Sequence, residues 1–213
     1  MLYLLNMNFF KIHALYKLTN IFFITYLLVF LIRSFKINNV EFVGYMFFFL
    51  TLFVLGNLFF DKYLKEYSGI YAFSSLFLLL HILGGVIYFG EVRMYDYYFF
   101  GFFRFDWFMH LLGGFLSGRI SYEILKDNFL FRKNSSQLFI AIVIILSIGI
   151  GTLNEIIEFL AVIFLNAGNA VGDYYNNLTD IVNNLVGSVI YLAFFSKTLK
   201  FKETEFEKIK THE

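Results

Sequence analysis

Cysteine and proline are both absent from the 213 residues, and tryptophan occurs once. Without cysteine there is no disulfide, no thiolate nucleophile and no thiolate metal site. Without proline, no helix is kinked by that residue. Charge is scarce as well: Asp, Glu, Lys and Arg make up 15% of the chain, against about 25% in soluble domains. The formal net charge of +1 provides no basic footprint for nucleic acid. What fills the chain is apolar: 59% hydrophobic residues, with 32 Phe and 15 Tyr, at a mean hydropathy of +0.69. These values describe a membrane protein.

Apolar runs of about 20 residues mark helical spans. They are expected at Leu18–Ile32, Val40–Phe60, Gly69–Gly90, Phe105–Leu125, Gln137–Leu165 and Asn177–Phe195. The fifth is long for a bilayer, so it either tilts or is interrupted near Gly149 and Gly151. The expected fold is therefore all-α: a polytopic membrane helical bundle of about six spans. Residues 1–17 form an N-terminal interfacial segment, 18–195 the transmembrane domain with its core motifs at 80–187, and 196–213 a charged tail. The first apolar segment leads into further spans and lacks a cleavable signal pattern.

Lys and Arg set the orientation. Lys11, Lys17, Lys62, Lys65, Lys126, Arg132, Lys133 and the lysines of the tail fall on one side. The other side has Arg33, Lys36, Arg93 and Arg104. Both termini are expected in the cytoplasm, in a multi-pass protein of the plasma (inner) membrane. With that orientation, Glu91, Asp106, His110, Glu155, Glu158, Asp173 and Asp180 all fall in the outer half, from four separate spans.

Ionised groups in lipid cost at least about 2.5–3.5 kcal/mol each, so these residues require protein, water or an ion as partner. Asp106 and His110 lie i,i+4 on one face. They can hold a metal, or a carboxylate can orient a general-base imidazole; an interhelical hydrogen-bonded pair is the plain alternative. Glu155 and Glu158, at i,i+3, repel unless a cation, a shared proton or an arginine joins them. Asp173, Asp180, Asn184 and Gly187 run along one stripe. Asp180 and Asn184 can complete an oxygen-rich site, while Asn183 reads as a packing contact to a neighbouring helix. Arg119 either clamps an anionic ligand group or neutralises Glu123 at i,i+4. Gly113, Gly114, Ser117 and Gly118 read as a close-packing face. His81, Gly84, Gly85, Tyr88 and Glu91 read as a polar stripe on the third span. Tyr95, Tyr97, Tyr98 and Trp107 fit an interfacial aromatic belt.

Set in order, these residues resemble the YjdF-like family of uncharacterised bacterial inner-membrane proteins, related to VanZ-like proteins. His81, Gly84, Tyr88, Glu91 and Val92 resemble that family's H-x2-G-x3-Y-x2-E-V block, and Asp106, His110 and Gly113 its D-x3-H-x2-G block. Glu155 and Glu158 match YE-x2-E, with Asn154 where the family has tyrosine. Gly172, Asp173 and Asp180 match GD-x-WD-x3-D, with Tyr175 for its tryptophan and Asn176 for its second aspartate. Asp180, Asn184 and Gly187 resemble the VanZ-like ending D-x3-N-x2-G. The resemblance implies a multispan helical membrane protein and brings no reaction. The association of VanZ-like proteins with low-level glycopeptide resistance points toward envelope or lipid-linked substrates.

The residues lead to a metal-dependent membrane hydrolase as the first expectation. Asp106, His110, Glu155, Glu158, Asp173 and Asp180 would hold one or two divalent ions. The ion would activate a water against a phosphate or ester of a lipid or lipid-linked envelope substrate at the outer leaflet. His81, His110 or Glu155 would serve as acid or base, and Arg104, Arg119 and Asn184 would bind the substrate. The rivals are an ion- or proton-coupled transporter and a non-catalytic envelope or resistance accessory protein.

Overall fold

A computed structural model describes residues 2–36, 38, 40–131, 136–165, 174–195 and 202–203. The described helices are α1 (Leu2–Lys36), α2 (Val40–Phe59), α3 (Asp61–Glu66), α4 (Ser68–Val86), α5 (Phe105–Asn128), α6 (Ser136–Leu165) and α7 (Tyr174–Phe195). Short strands pair as β1 (Tyr88–Phe89) with β2 (Val92–Arg93), β3 (Tyr98–Phe99) with β4 (Phe103–Arg104), and β5 (Leu130–Phe131) with β6 (Lys202–Glu203). The protein is an all-α polytopic membrane protein. Five stretches are long and apolar enough to cross a bilayer: Ile12–Lys36, Phe42–Phe59, Ser68–Val86, Ser136–Phe164 and Tyr174–Phe195. Their large apolar residues, among them Phe59, Ile145, Leu153 and Phe164, are exposed, as lipid-facing side chains are.

The fourth expected span, α5, is long enough at about 36 Å but is not among those five. Its charge is the reason. Asp106, His110 and Glu123 are buried against protein, which removes them from contact with lipid.

Helix lengths follow from the breakers. No glycine or proline occurs before Asn38, so α1 runs well beyond the expected Leu18–Ile32 and the chain turns at Asn38 with φ 53°. Gly149 and Gly151 do not interrupt α6, which continues through both. The third span, expected to reach Gly90, ends at Val86. The β-branched pair Val86–Ile87 and the aromatic Tyr88–Phe89 favour extended backbone. The chain folds back at Gly90 (φ 65°) and closes where the Met94 amide donates to the Ile87 carbonyl at 2.8 Å. The polar stripe read from His81 to Glu91 is thereby broken: Tyr88 and Glu91 lie beyond the helix and are exposed.

The chain divides into two compact units. The first comprises Met1–Met94 and Glu158–Val171. Its core joins Phe23, Tyr26 and Leu27 of α1 to Phe42 and Met46 of α2 and Ile82 and Val86 of α4. A polar network ties the same helices together. The Tyr16 hydroxyl lies 2.6 Å from Asn57 Oδ1 and 2.8 Å from Asp61 Oδ1. Asn20 Nδ2 donates to Asn57 Oδ1 at 3.1 Å, and the Tyr71 hydroxyl donates to Asn20 Oδ1 at 2.6 Å. The Lys65 ammonium first, and the Tyr16 hydroxyl second, hold the Asp61 carboxyl below its usual range. Asn57 of α2 is the hub, accepting from Tyr16 and Asn20 of α1. Asn57→Leu is expected to lower stability by about 1–2 kcal/mol. Thermal unfolding in detergent, against a Thr51→Val control, would read it.

The second unit comprises Tyr95–Ile157 and Gly172–Glu213, and is built on the α5–α7 pair. Tyr122 and Leu125 of α5, Phe139 and Val143 of α6, and Tyr191 and Leu192 of α7 form its core. Glycines permit backbone contact: a Cβ on Gly114 would stand 2.0 Å from the Asn184 carbonyl oxygen, and one on Gly187 would stand 2.0 Å from that of Leu111. This is the close packing expected of the small-residue face. Ser147 donates to the Gly114 carbonyl at 3.2 Å and draws α6 onto the pair. The parallel β5–β6 pairing sets Leu130 beside Lys202, which brings the start of the tail to the α5–α6 connection. At the other end of α5, β3 and β4 form a hairpin whose turn has Phe100 at φ 55° and Gly101 at φ 77°. A left-handed conformation costs a non-glycine residue about 1–2 kcal/mol.

Candidate functional site

The α5–α7 contact aligns two polar stripes. Asp106 and His110 are one turn apart on α5. Asn176, Asp180 and Asn184 follow at four-residue steps on α7, so all three face α5. All five are buried, Asp180 completely. Glu155 of α6, also buried, joins them because Gly151, one turn earlier, leaves room for the Asn184 side chain; a Cβ there would meet it at 2.7 Å.

His110 is the centre. Its Nε2 lies 3.5 Å from Asp106 Oδ1 and 3.7 Å from Asp180 Oδ2. On the opposite ring edge, Nδ1 lies 3.7 Å from Glu155 Oε1 and 3.4 Å from Asn184 Nδ2. The remaining carboxylate positions are supported. Arg104 Nη2 donates to Asp106 Oδ2 at 2.5 Å and stands 3.7 Å from Asp96. Asn176 Nδ2 donates to Asp180 Oδ2 at 2.7 Å.

Two features set what this arrangement can do. The first is charge. The carboxylates of Asp106, Glu155 and Asp180 stand within 4 Å of the His110 ring nitrogens, and Arg104 pairs with Asp106. Carboxylates gathered around an imidazole in this way suit a divalent cation. The second is spacing. Ligand atoms of Asp106, His110 and Asp180 lie within 4.8 Å of one another. Their separations of 3.5 and 3.7 Å exceed those of ordinary N–H···O hydrogen bonds. Atoms each about 2.0–2.2 Å from a shared tetrahedral ion stand roughly 3.4 Å apart. Glu155 and Asn184 flank the Nδ1 edge of the ring, and Asp106 and Asp180 its Nε2 edge. An ion shared with Asp106 and Asp180 would take Nε2, with Nδ1 left to the Glu155 side.

The other residues named from sequence are placed as follows. Glu158, one turn after Glu155 on α6, is half-buried and belongs to the first unit. His81, also in the first unit, is half-buried with its ring edge-on to Phe49, centroids 6.1 Å apart. Asp173 lies outside the described residues. Arg119 pairs with Glu123 at 2.5 Å and donates to the Tyr191 hydroxyl at 3.4 Å, while Lys126 pairs with Glu123 from the other side. Of the two roles open to Arg119, neutralising Glu123 is the one realised here. Asn183 donates to the Thr179 carbonyl of its own helix at 3.0 Å, not to a neighbour as expected; its amide lies off the α5-facing stripe. Asn176, read from sequence only as a departure from the aspartate of a resembling family, sits in the site. Its four-residue step from Asp180 was the signal that could have found it.

Residues 17–201 match the model of a family described as "Predicted membrane protein (DUF2238)". No curated protein and no solved structure matches.

Proposed function

The chain belongs to this family of predicted membrane proteins, and on that premise we propose that it is a divalent-metal-dependent hydrolase of the plasma (inner) membrane, acting on a phosphate or ester of a lipid or lipid-linked envelope substrate. The observation that carries the reading is the meeting of Asp106, His110 and Asp180 in a buried cluster at ion-sharing distances. One histidine among carboxylates suits hard or borderline ions such as Mn²⁺, Fe²⁺ or Zn²⁺. A bound ion would supply Lewis acidity and an activated water. Glu155 orients the His110 ring. Arg104, on the strand leading into α5, provides the cation for an anionic substrate group at the rim. The likeness to VanZ-like proteins belongs to the same proposal. Asp180, Asn184 and Gly187 are at once ligand, neighbour of His110 and closest helix contact.

Transport is less well supported. Between this cluster and Glu123, the buried hydroxyls of Ser147 and Ser188 donate to the Gly114 and Leu185 carbonyls, which is helix packing.

The test is elemental analysis of the purified, detergent-solubilised protein, before and after chelation and reloading. Near-stoichiometric metal in the wild type, lost in His110→Ala with thermal unfolding otherwise preserved, is expected. Assays on lipid phosphates and lipid esters then follow. A wild type that takes up no divalent ion under any loading condition overturns the reading and turns the question to pH-dependent flux.

A further inference from the structure

The tip of the β3–β4 hairpin supplies no ligand to the metal site, yet among the described residues it is an apolar, exposed segment outside the spans. Its tip, Phe99-Phe100-Gly101-Phe102-Phe103, contains no polar side chain. Phe100 is 91% exposed and Phe102 71%. The Phe102 amide donates to the Phe99 carbonyl at 3.3 Å across a turn with both central residues at positive φ. Asn-Gly is the usual pair in such a turn; here phenylalanine takes the first position. The unfavourable conformation holds an aromatic ring outward, where burial in an apolar medium would more than offset it.

The hairpin is fixed to the first turn of α5. The Phe105 amide donates to the Tyr97 carbonyl at 3.1 Å. The Trp107 ring packs edge-on against Tyr98 and Phe103, with centroids 6.1 and 6.4 Å apart. Tyr97, Tyr98 and Trp107 form the kind of amphipathic aromatic group that gathers at headgroup level.

We propose that this hairpin is a lipid-surface anchor, with the Phe100 and Phe102 rings immersed in the headgroup–acyl boundary of the leaflet at the Arg104 end of α5. The bilayer is the occupant because the five apolar spans require it, and because the hairpin leads directly into α5, whose backbone packs on the spanning helix α7. The inference goes beyond the hydrolase reading and stands without a metal. Its consequence for the site is positional: β4 ends at Arg104, so the anchored hairpin sets the depth of the Arg104–Asp106 pair at the level of lipid headgroups.

The natural absence of cysteine makes the test direct. Phe100→Cys and, separately, Phe102→Cys are labelled with an environment-sensitive nitrobenzoxadiazole dye in phosphatidylethanolamine–phosphatidylglycerol vesicles. Glu91→Cys, at the exposed turn of the β1–β2 hairpin, is the reference. Labels at 100 and 102 are expected to be blue-shifted, quenched several-fold by lipid-borne nitroxide near the glycerol, and protected from aqueous iodide; the label at 91 should show the reverse. The second position keeps the result independent of losing Phe100 itself. Iodide quenching at both tip positions with no response to lipid nitroxide overturns the proposal. Self-quenching between copies that grows with protein-to-lipid ratio also overturns it, assigning the tip to a second copy of the chain.

Discussion

Gly187→Ala and Gly114→Ala are each expected to destabilise the second unit by on the order of 3 kcal/mol, at the upper end of what inserting a methyl into a packed interior does. The added Cβ would stand 2.0 Å from a carbonyl oxygen of the facing helix. Backbone, unlike a flexible side chain, has no rotamer to move to. The helices must separate, and the stripes that make the site separate with them. Gly149→Ala is the contrast. Nothing lies within 4 Å of its added Cβ, and replacing a helix-interior glycine stabilises by about 0.4–1 kcal/mol. Thermal unfolding in one detergent should therefore move in opposite directions for Gly187→Ala and Gly149→Ala. Equal shifts would mean that α5 and α7 do not touch through their backbones.

Asp180→Asn is expected to abolish metal binding with little change in fold. The substitution keeps shape and removes one charge from a fully buried position 3.7 Å from His110 Nε2. Asn184→Leu removes a neighbour of the ring rather than a ligand, so a loss of about 10–100-fold in affinity is expected. Glu155→Gln should fall in the same range, because its role is to orient the ring. Titration calorimetry with Mn²⁺ and Zn²⁺ separates the ranks. If Asp180→Asn binds as tightly as Asn184→Leu, the ion is not held on the Nε2 edge, and the cluster is a charge-neutralised packing contact.

The membrane class and the helical fold were legible in the chain because they are local properties. Apolar length fixes a span, and the absence of glycine and proline before Asn38 lets α1 run on. Asp106 with His110, and Asp180 with Asn184, were legible as pairs because helical spacing places residues four apart on one face. The start of α5 at Phe105 was legible, but the end of α4 at Val86 was not. The apolar run through Gly90 has the composition of a span, and only the Ile87–Met94 closure shows that the helix has stopped. The i,i+4 spacing slightly favoured Glu123 as the partner of Arg119, and the two do pair at 2.5 Å.

By itself, then, the sequence determined which residues are costly to leave in lipid, and on which helix face each one lies. It did not determine which of those faces meet. That depended on glycine: at Gly114 and Gly187 the backbones of α5 and α7 approach more closely than a side chain permits, and Gly151 of α6 leaves room for the Asn184 side chain. Backbone proximity between distant segments leaves no periodic mark in a sequence. Glu155 and Asp180 reach His110 as a consequence of that packing, and only the tertiary structure decided it.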